Sequence, residues 1–131
     1  MRAQRELLLT IPGIGLTTAL WLLAELGDVK RFRRARQAAA YAGLDPRVEQ
    51  SGTWKGQTRL SKQGNALLRK ALYLPAVASL RWNPLIQAFA ARLRARGKSP
   101  MAVVGAAMRK LVHLAYGVLH QGRAFDPAWQ A

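Results

Sequence analysis

Leu9-Thr10-Ile11-Pro12-Gly13-Ile14-Gly15-Leu16-Thr17-Thr18-Ala19 is the stretch on which the reading of the fold turns. Leu7, Leu8 and Leu9 close a short first helix. Ile11-Pro12-Gly13-Ile14-Gly15 cannot continue it, because proline removes a backbone donor and the two glycines permit positive φ. A second helix starts at Thr17 and Thr18 and runs through Leu20, Trp21, Leu22, Leu23 and Leu26 to a stop at Gly27. A tight turn between two helices also frees backbone N–H groups at the start of the second. By geometry and dipole alone, such a start suits a phosphate. The same turn equally serves two helices that simply pack in a core.

Outward from that hairpin the pattern stays helical. Lys30 to Arg34 make a basic connection, a third helix covers Gln37 to Ala42, and Gly43 stops it. From Asp45 to Ser61 the period of 3.6 disappears, and Gly52 and Gly56 break up a polar run; a β-hairpin or irregular insert around residues 47–60 is predicted. Asn65 to Leu80 is a strong helix in which Pro75 predicts a kink. Asn83-Pro84 and Ser99-Pro100 each pair a capping side chain with a proline at the first helical position. The first of these helices carries Leu85, Phe89 and Leu93 on one face and ends at Gly97. The last carries Val103, Val104, Met108, Leu111, Val112, Ala115 and Leu119 and ends near Gly122. The expected fold is mainly α: one helical domain over residues 1–122 with the helix pair at about 4–27, followed by a loose tail over 123–131.

The chain has 131 residues, of which 50% are hydrophobic, enough for one real core. Twenty-one Lys and Arg against six Asp and Glu give a net charge of +15. That surplus says little about fold and much about partners, since a polyanion relieves the self-repulsion. Residues 1–46 carry seven bases and four acids; residues 47–131 carry fourteen bases and only Glu49 and Asp126. The later segment is thus the expected polyanion surface. With no cysteine, disulfides, thiolate metal sites and cysteine nucleophiles are excluded. No apolar run is expected to reach the roughly 18–20 residues of a membrane span, and no signal peptide is read. His113 and His120 are two helical turns apart, too far for a direct metal pair. Trp21 and Trp82 are expected to pack in the core, whereas Trp54 sits in the polar insert where a base could stack on it. Arg92, Arg94, Arg96 and Lys98 lean towards phosphate contact in so acid-poor a segment.

The residues that could carry chemistry lie between Arg47 and Arg69. Ser51 stands beside Gly52, and Arg47, Lys55, Arg59, Lys62 and Arg69 are close in sequence. A hydroxyl ringed by cations is what attack on a phosphodiester would use, with the cations holding the phosphate and its developing charge. A free serine needs activation. No histidine is near Ser51 in sequence and arginine does not act as a base, so the activator is unassigned. Serine is also an ordinary turn residue that bonds its own backbone.

The turn at Gly13-Ile14-Gly15 resembles the helix-hairpin-helix motif, whose members hold DNA backbone without reading sequence. On that reading Gly13, Ile14, Gly15 and Thr17 contact DNA, together with Arg47, Lys55, Arg59, Lys62, Arg69 and Lys98. The ordered series Ile11-Pro12-Gly13-Ile14-Gly15, Phe32, Ala40-Tyr41-Ala42-Gly43-Leu44-Asp45-Pro46, Gln50-Ser51-Gly52, Ser61-Lys62-Gln63-Gly64-Asn65, Leu68-Arg69, Arg96-Gly97-Lys98 and Arg109-Lys110-Leu111 resembles the C-terminal transposase domain of the IS-one-ten insertion-sequence family. The likeness runs from about Leu8 to about Gly122. It implies a recombinase directed by a structured guide RNA. In such a recombinase a RuvC-like domain supplies four magnesium-binding acids, and this domain supplies a serine that becomes linked to DNA. Ser51 matches that serine best, with Ser61 as the fallback.

The series begins only a few residues after Met1, so the resemblance implies a truncated or split transposase that lacks the RuvC-like domain. No cofactor is expected in this chain, and magnesium only in that other domain. The implied partners are DNA, a structured guide RNA, a RuvC-like domain on a separate chain and a second copy of this chain, in the bacterial cytoplasm and with no membrane. Two other readings stay open: a non-catalytic helix-hairpin-helix module that binds nucleic acid, and a basic protein that coats nucleic acid or an anionic membrane. All nucleic-acid readings expect one continuous positive face that includes the Gly-x-Gly hairpin and the Ser51 loop.

Overall fold

The computed structural model describes residues 2–41 and 55–128, with side chains over 2–41 and 69–128. Among these residues every regular element is helical: α1 (Arg2–Leu9), α2 (Leu16–Leu26), a 3-10 turn (Val29–Arg31), α3 (Ala35–Tyr41), α4 (Lys55–Trp82), α5 (Pro84–Ala95) and α6 (Pro100–Gln121). The mainly helical expectation holds.

Helix α6 is the axis of the core. It packs against α4, α3, α5, α1 and the 3-10 turn. Val103, Ala107, Leu111, Val112, Leu114, Ala115 and Val118 are buried along its 22 residues. Each fully buried Val or Leu among them stabilises the fold by about 1.5–3 kcal/mol relative to exposure. Both of its predicted stops are present. Ser99 Oγ accepts from Ala102 N–H at 3.2 Å, and Gly122 takes the left-handed conformation at φ 64°, ψ 31°. By length and apolar composition α6 could cross a bilayer, which corrects the expectation that no run approaches such a span. Half of its apolar window is buried against neighbouring helices in this structure.

Asn83 is the pivot between α4 and α5. It is fully buried, and its Oδ1 accepts from Leu85 N–H at 3.0 Å and Ile86 N–H at 3.3 Å. Its Nδ2 donates to the Pro12 carbonyl at 3.2 Å. One side chain therefore caps α5 and fastens the α1–α2 turn to the far end of α4. A buried amide is tolerated because both its nitrogen and its oxygen are hydrogen-bonded.

Several local expectations are corrected. The insert predicted over 47–60 gives way to helix from Lys55, ten residues before the predicted start at Asn65; residues 47–54 lie outside the described residues. Lys, Gln, Arg and Leu propagate a helix already nucleated by its packed half, so two glycines do not stop it. On α5 the fully buried positions are Ile86 and Ala90, and Leu85, Phe89 and Leu93 are half-buried at their flank. Trp82 is 69% exposed rather than packed, because the packed stripe of α4 runs through Leu72, Ala76 and Ser79 to Asn83 and leaves it aside. The segment after Gly122, read as a loose tail, is tied down at Phe125, whose N–H donates to Thr10 Oγ1 at 2.9 Å and whose side chain packs on the core.

Candidate nucleic-acid interface

The two glycines of the hairpin do different work. Gly13 has φ +104°, and a Cβ there would lie 2.9 Å from Ser79 Cβ and 3.1 Å from the Pro75 carbonyl oxygen. It is the point at which the turn touches α4, and only a residue without a side chain permits that approach. Ile11 and Ile14 anchor the turn in the core, and Ile14 N–H donates to the Ile11 carbonyl at 3.0 Å. Gly15 meets nothing within 4 Å and caps α2 with no side-chain hydrogen bond. The first N–H groups of an α-helix have no partner within it, and Thr17 on this first turn is exposed. The outward, phosphate-compatible part of the hairpin is therefore Gly15, Leu16 and Thr17, with Gly13 and Ile14 building its support.

Lys55, Arg59, Lys62 and Arg69 all fall on α4. Their spacing of four, three and seven residues places these positions within an arc of roughly 80° on a helix of 3.6 residues per turn. Ser61 falls about 120° away from the middle of that stripe. Arg69 is half-buried and Lys70 exposed. Lys98 is exposed in the turn between α5 and α6, where Gly97 has φ +82°. Arg92, Arg94 and Arg96 are exposed beside it at the end of α5, a helix end that favours cations in its own right. Arg47 and Ser51 lie outside the described residues. The described candidates thus occupy three places: the start of α2, one stripe of α4 and the α5–α6 turn.

A further group was not read from the sequence because two helices contribute to it. Lys110 Nζ of α6 lies 5.1 Å from the centre of the Phe89 ring of α5, and Arg92 Cζ lies 5.9 Å from the same ring. Burial first, then Arg92 and Arg109, hold the Lys110 ammonium below its ordinary pKa. An anion seated there would relieve that repulsion. Only the Phe89–Arg92 half, three residues apart on one helix, had a sequence signal. His120 is exposed and stacks on Tyr116 at 5.2 Å. Among the described residues no three His, Asp or Glu side chains gather to hold a metal ion.

The model of the Transposase IS116/IS110/IS902 family matches residues 5–91. The chain belongs to that family. A pilin gene-inverting protein of Moraxella bovis is 43% identical over 125 residues, which is 94% of this chain and 39% of that protein. An insertion element IS110 protein of 43.6 kDa from Streptomyces coelicolor is 32% identical over 119 residues, 91% of this chain and 29% of that one. The transposase for insertion sequence element IS1111A of Coxiella burnetii is 44% identical over 72 residues, 55% of this chain and 20% of its own. This transposase-family chain spans about two fifths or less of the length of these relatives. The matched span runs from within α1 through α4 to the middle of α5, and so contains the start of α2, the cationic stripe and the Ser51 segment.

Proposed function

We propose that this chain is the DNA-binding, serine-bearing domain of a transposase, and that it acts in DNA transposition or site-specific recombination together with a RuvC-like domain. The observation that carries the reading is the family match across residues 5–91, joined to a surface whose cations far outnumber its acids. The helix-hairpin-helix of α1 and α2 would hold a backbone phosphate at Gly15 to Thr17. The α4 stripe, Lys98 and the Phe89–Lys110 group would add sequence-independent contacts. Ser51 is the proposed nucleophile. Its Oγ forms a bond to phosphorus as one P–O ester bond breaks; the serine proton leaves to a base, and the departing sugar oxygen takes up a proton. Magnesium is assigned to the RuvC-like domain as part of the same proposal. A structured guide RNA and a second copy of the chain belong to the same proposal, as does action in the bacterial cytoplasm. The exposed Leu74, Val77 and Trp82 of α4 support self-association.

The DNA-binding half of the proposal is tested by measuring affinity for duplex DNA against salt. With about six phosphates neutralised, log K falls with log salt at a slope near −5, from −0.9 per contact. Binding that ignores salt contradicts the reading. The catalytic half separates this proposal from a non-catalytic binding module. With a RuvC-like domain supplied, Ser51→Ala abolishes strand transfer and leaves DNA affinity in place.

A further inference from the structure

The first third of the chain conceals a dense cationic surface. Lys30, Arg31, Arg33, Arg34 and Arg36 are five bases within seven residues, and all are exposed. Four acids elsewhere in residues 1–46 mask this in the net charge of +3. Among the described residues, none of Glu6, Glu25 and Asp28 forms an ion pair with these bases. Among the described residues the one ion pair is Arg2–Glu6 on α1. Asp28 spends a carboxylate oxygen on Lys30 N–H at 3.0 Å, and Glu25 offers Arg31 only its backbone carbonyl, at 3.4 Å.

The segment is also held in shape. Val29 is buried, Tyr116 of α6 donates its hydroxyl hydrogen to the Phe32 carbonyl at 2.9 Å, and Arg33 N–H donates to Gln37 Oε1 at 2.6 Å. The Arg31 guanidinium lies 4.7 Å from the centres of both the Phe32 and Tyr41 rings. A solvated charge run needs none of this. A surface that receives a polyanion gains from it, because the cost of ordering the backbone is met during folding instead of binding.

We propose that the α2–α3 connection, through Lys30, Arg33, Arg34 and Arg36, is a second contact surface for the phosphate backbone of duplex DNA. The inference rests on the DNA-binding reading above and adds a site to it. Arg31 covers the two aromatic rings of the segment, so they do not serve as stacking platforms of the kind that single strands require. What the segment presents is charge, which suits a backbone. It stands at the opposite end of α2 from Gly15 and Thr17, about 16 Å along an 11-residue helix. That is less than one turn of duplex, about 34 Å, a separation that one duplex can span.

The test compares the wild-type chain with K30Q/R33Q/R34Q/R36Q and with the charge-keeping K30R/R33K/R34K/R36K. Affinity for a mixed-sequence DNA duplex of about 30 base pairs is followed from about 50 to 200 mM salt, the range over which phosphate contacts show as a slope. Circular dichroism confirms the fold of both variants. The glutamine variant is expected to lose up to about 3.6 from the salt slope, four contacts at 0.9 each, and the charge-keeping variant to lose none. A steep wild-type slope that the glutamine variant retains overturns this surface and leaves the general DNA-binding reading standing. A wild-type chain with no salt-dependent DNA binding overturns both. A slope lost on an RNA duplex of the same length but kept on DNA overturns the assignment to DNA.

Discussion

Replacing Gly13 with alanine isolates the support of the hairpin from its outward part. A Cβ at this position meets Ser79 Cβ at 2.9 Å and the Pro75 carbonyl oxygen at 3.1 Å, both on the packed face of α4. Neither neighbour is the free end of a flexible side chain, so the turn itself must lift. Overpacking of this kind costs about 1–3 kcal/mol. The backbone at φ +104° adds about 1–3 kcal/mol for a residue with a side chain. Reduced freedom of the unfolded chain returns about 0.4–1 kcal/mol. The expected net loss is about 1–6 kcal/mol, or roughly 4–22 °C in Tm for a domain of this size. Gly15→Ala is the internal control, since nothing lies within 4 Å of its Cβ position and its φ of −93° is ordinary. Thermal melts followed by circular dichroism at 222 nm check both. Equal melting temperatures for the two variants would refute the assignment of Gly13 to the α4 contact.

Thr17→Asp has opposed effects: a carboxylate on the first turn of α2 stabilises the helix by about 0.3–1 kcal/mol and repels a phosphate there, so Tm rises while DNA affinity falls. A variant that gains stability and keeps its affinity would show that this helix start does not touch DNA. Asn83→Ala removes a cap worth about 0.5–2 kcal/mol and strands the Pro12 carbonyl at a further ~1–3 kcal/mol; denaturant titration should show a loss of at least about 1.5 kcal/mol on that arithmetic, and a loss below half that amount contradicts the pivot role. Lys110 is held below its ordinary pKa, so the folded state binds its proton less well than the unfolded chain does. Its charged form therefore opposes folding at neutral pH, and that opposition fades as pH rises through the folded pKa. Lys110→Met is accordingly expected to raise Tm at pH 7 and to lose the advantage as the pH approaches the usual lysine range; a gain that persists unchanged at high pH would assign it to packing alone.

The elements that declared themselves in the sequence are those with chemical punctuation. Asn83-Pro84, Ser99-Pro100, Gly97 and Gly122 each fix a helix end through a hydrogen bond or a positive φ, and each end stands where those residues place it. The start of α4 was illegible for the converse reason. Residues 55–64 carry glycine, threonine and polar side chains without an apolar stripe, and they are helical because they extend a helix whose far half is packed. Trp82 misled because tryptophan is usually drawn into cores, and only its register against Leu72, Ala76 and Ser79 shows that it is left outside. At the candidate interface, spacing along one helix could be read directly, as for Lys55, Arg59, Lys62 and Arg69. Tertiary placement could not. The inward turn of Gly13 and the Phe89 group shared by α5 and α6 depend on segments distant in sequence.

The proposed role of the chain in strand transfer comes down to one bond, between phosphorus and a serine oxygen. Trypsin cleaves after Arg47 and Lys55, so Ser51 falls on the peptide Val48 to Lys55, whereas Ser61 falls on the peptide Leu60 to Lys62. With a RuvC-like domain and a DNA substrate supplied, the reaction is quenched, digested with nuclease and trypsin, and analysed by mass spectrometry. The account predicts nucleotide mass on Ser51 in the 48–55 peptide. Strand transfer that proceeds with both peptides unmodified, or with the nucleotide on Ser61, would contradict it.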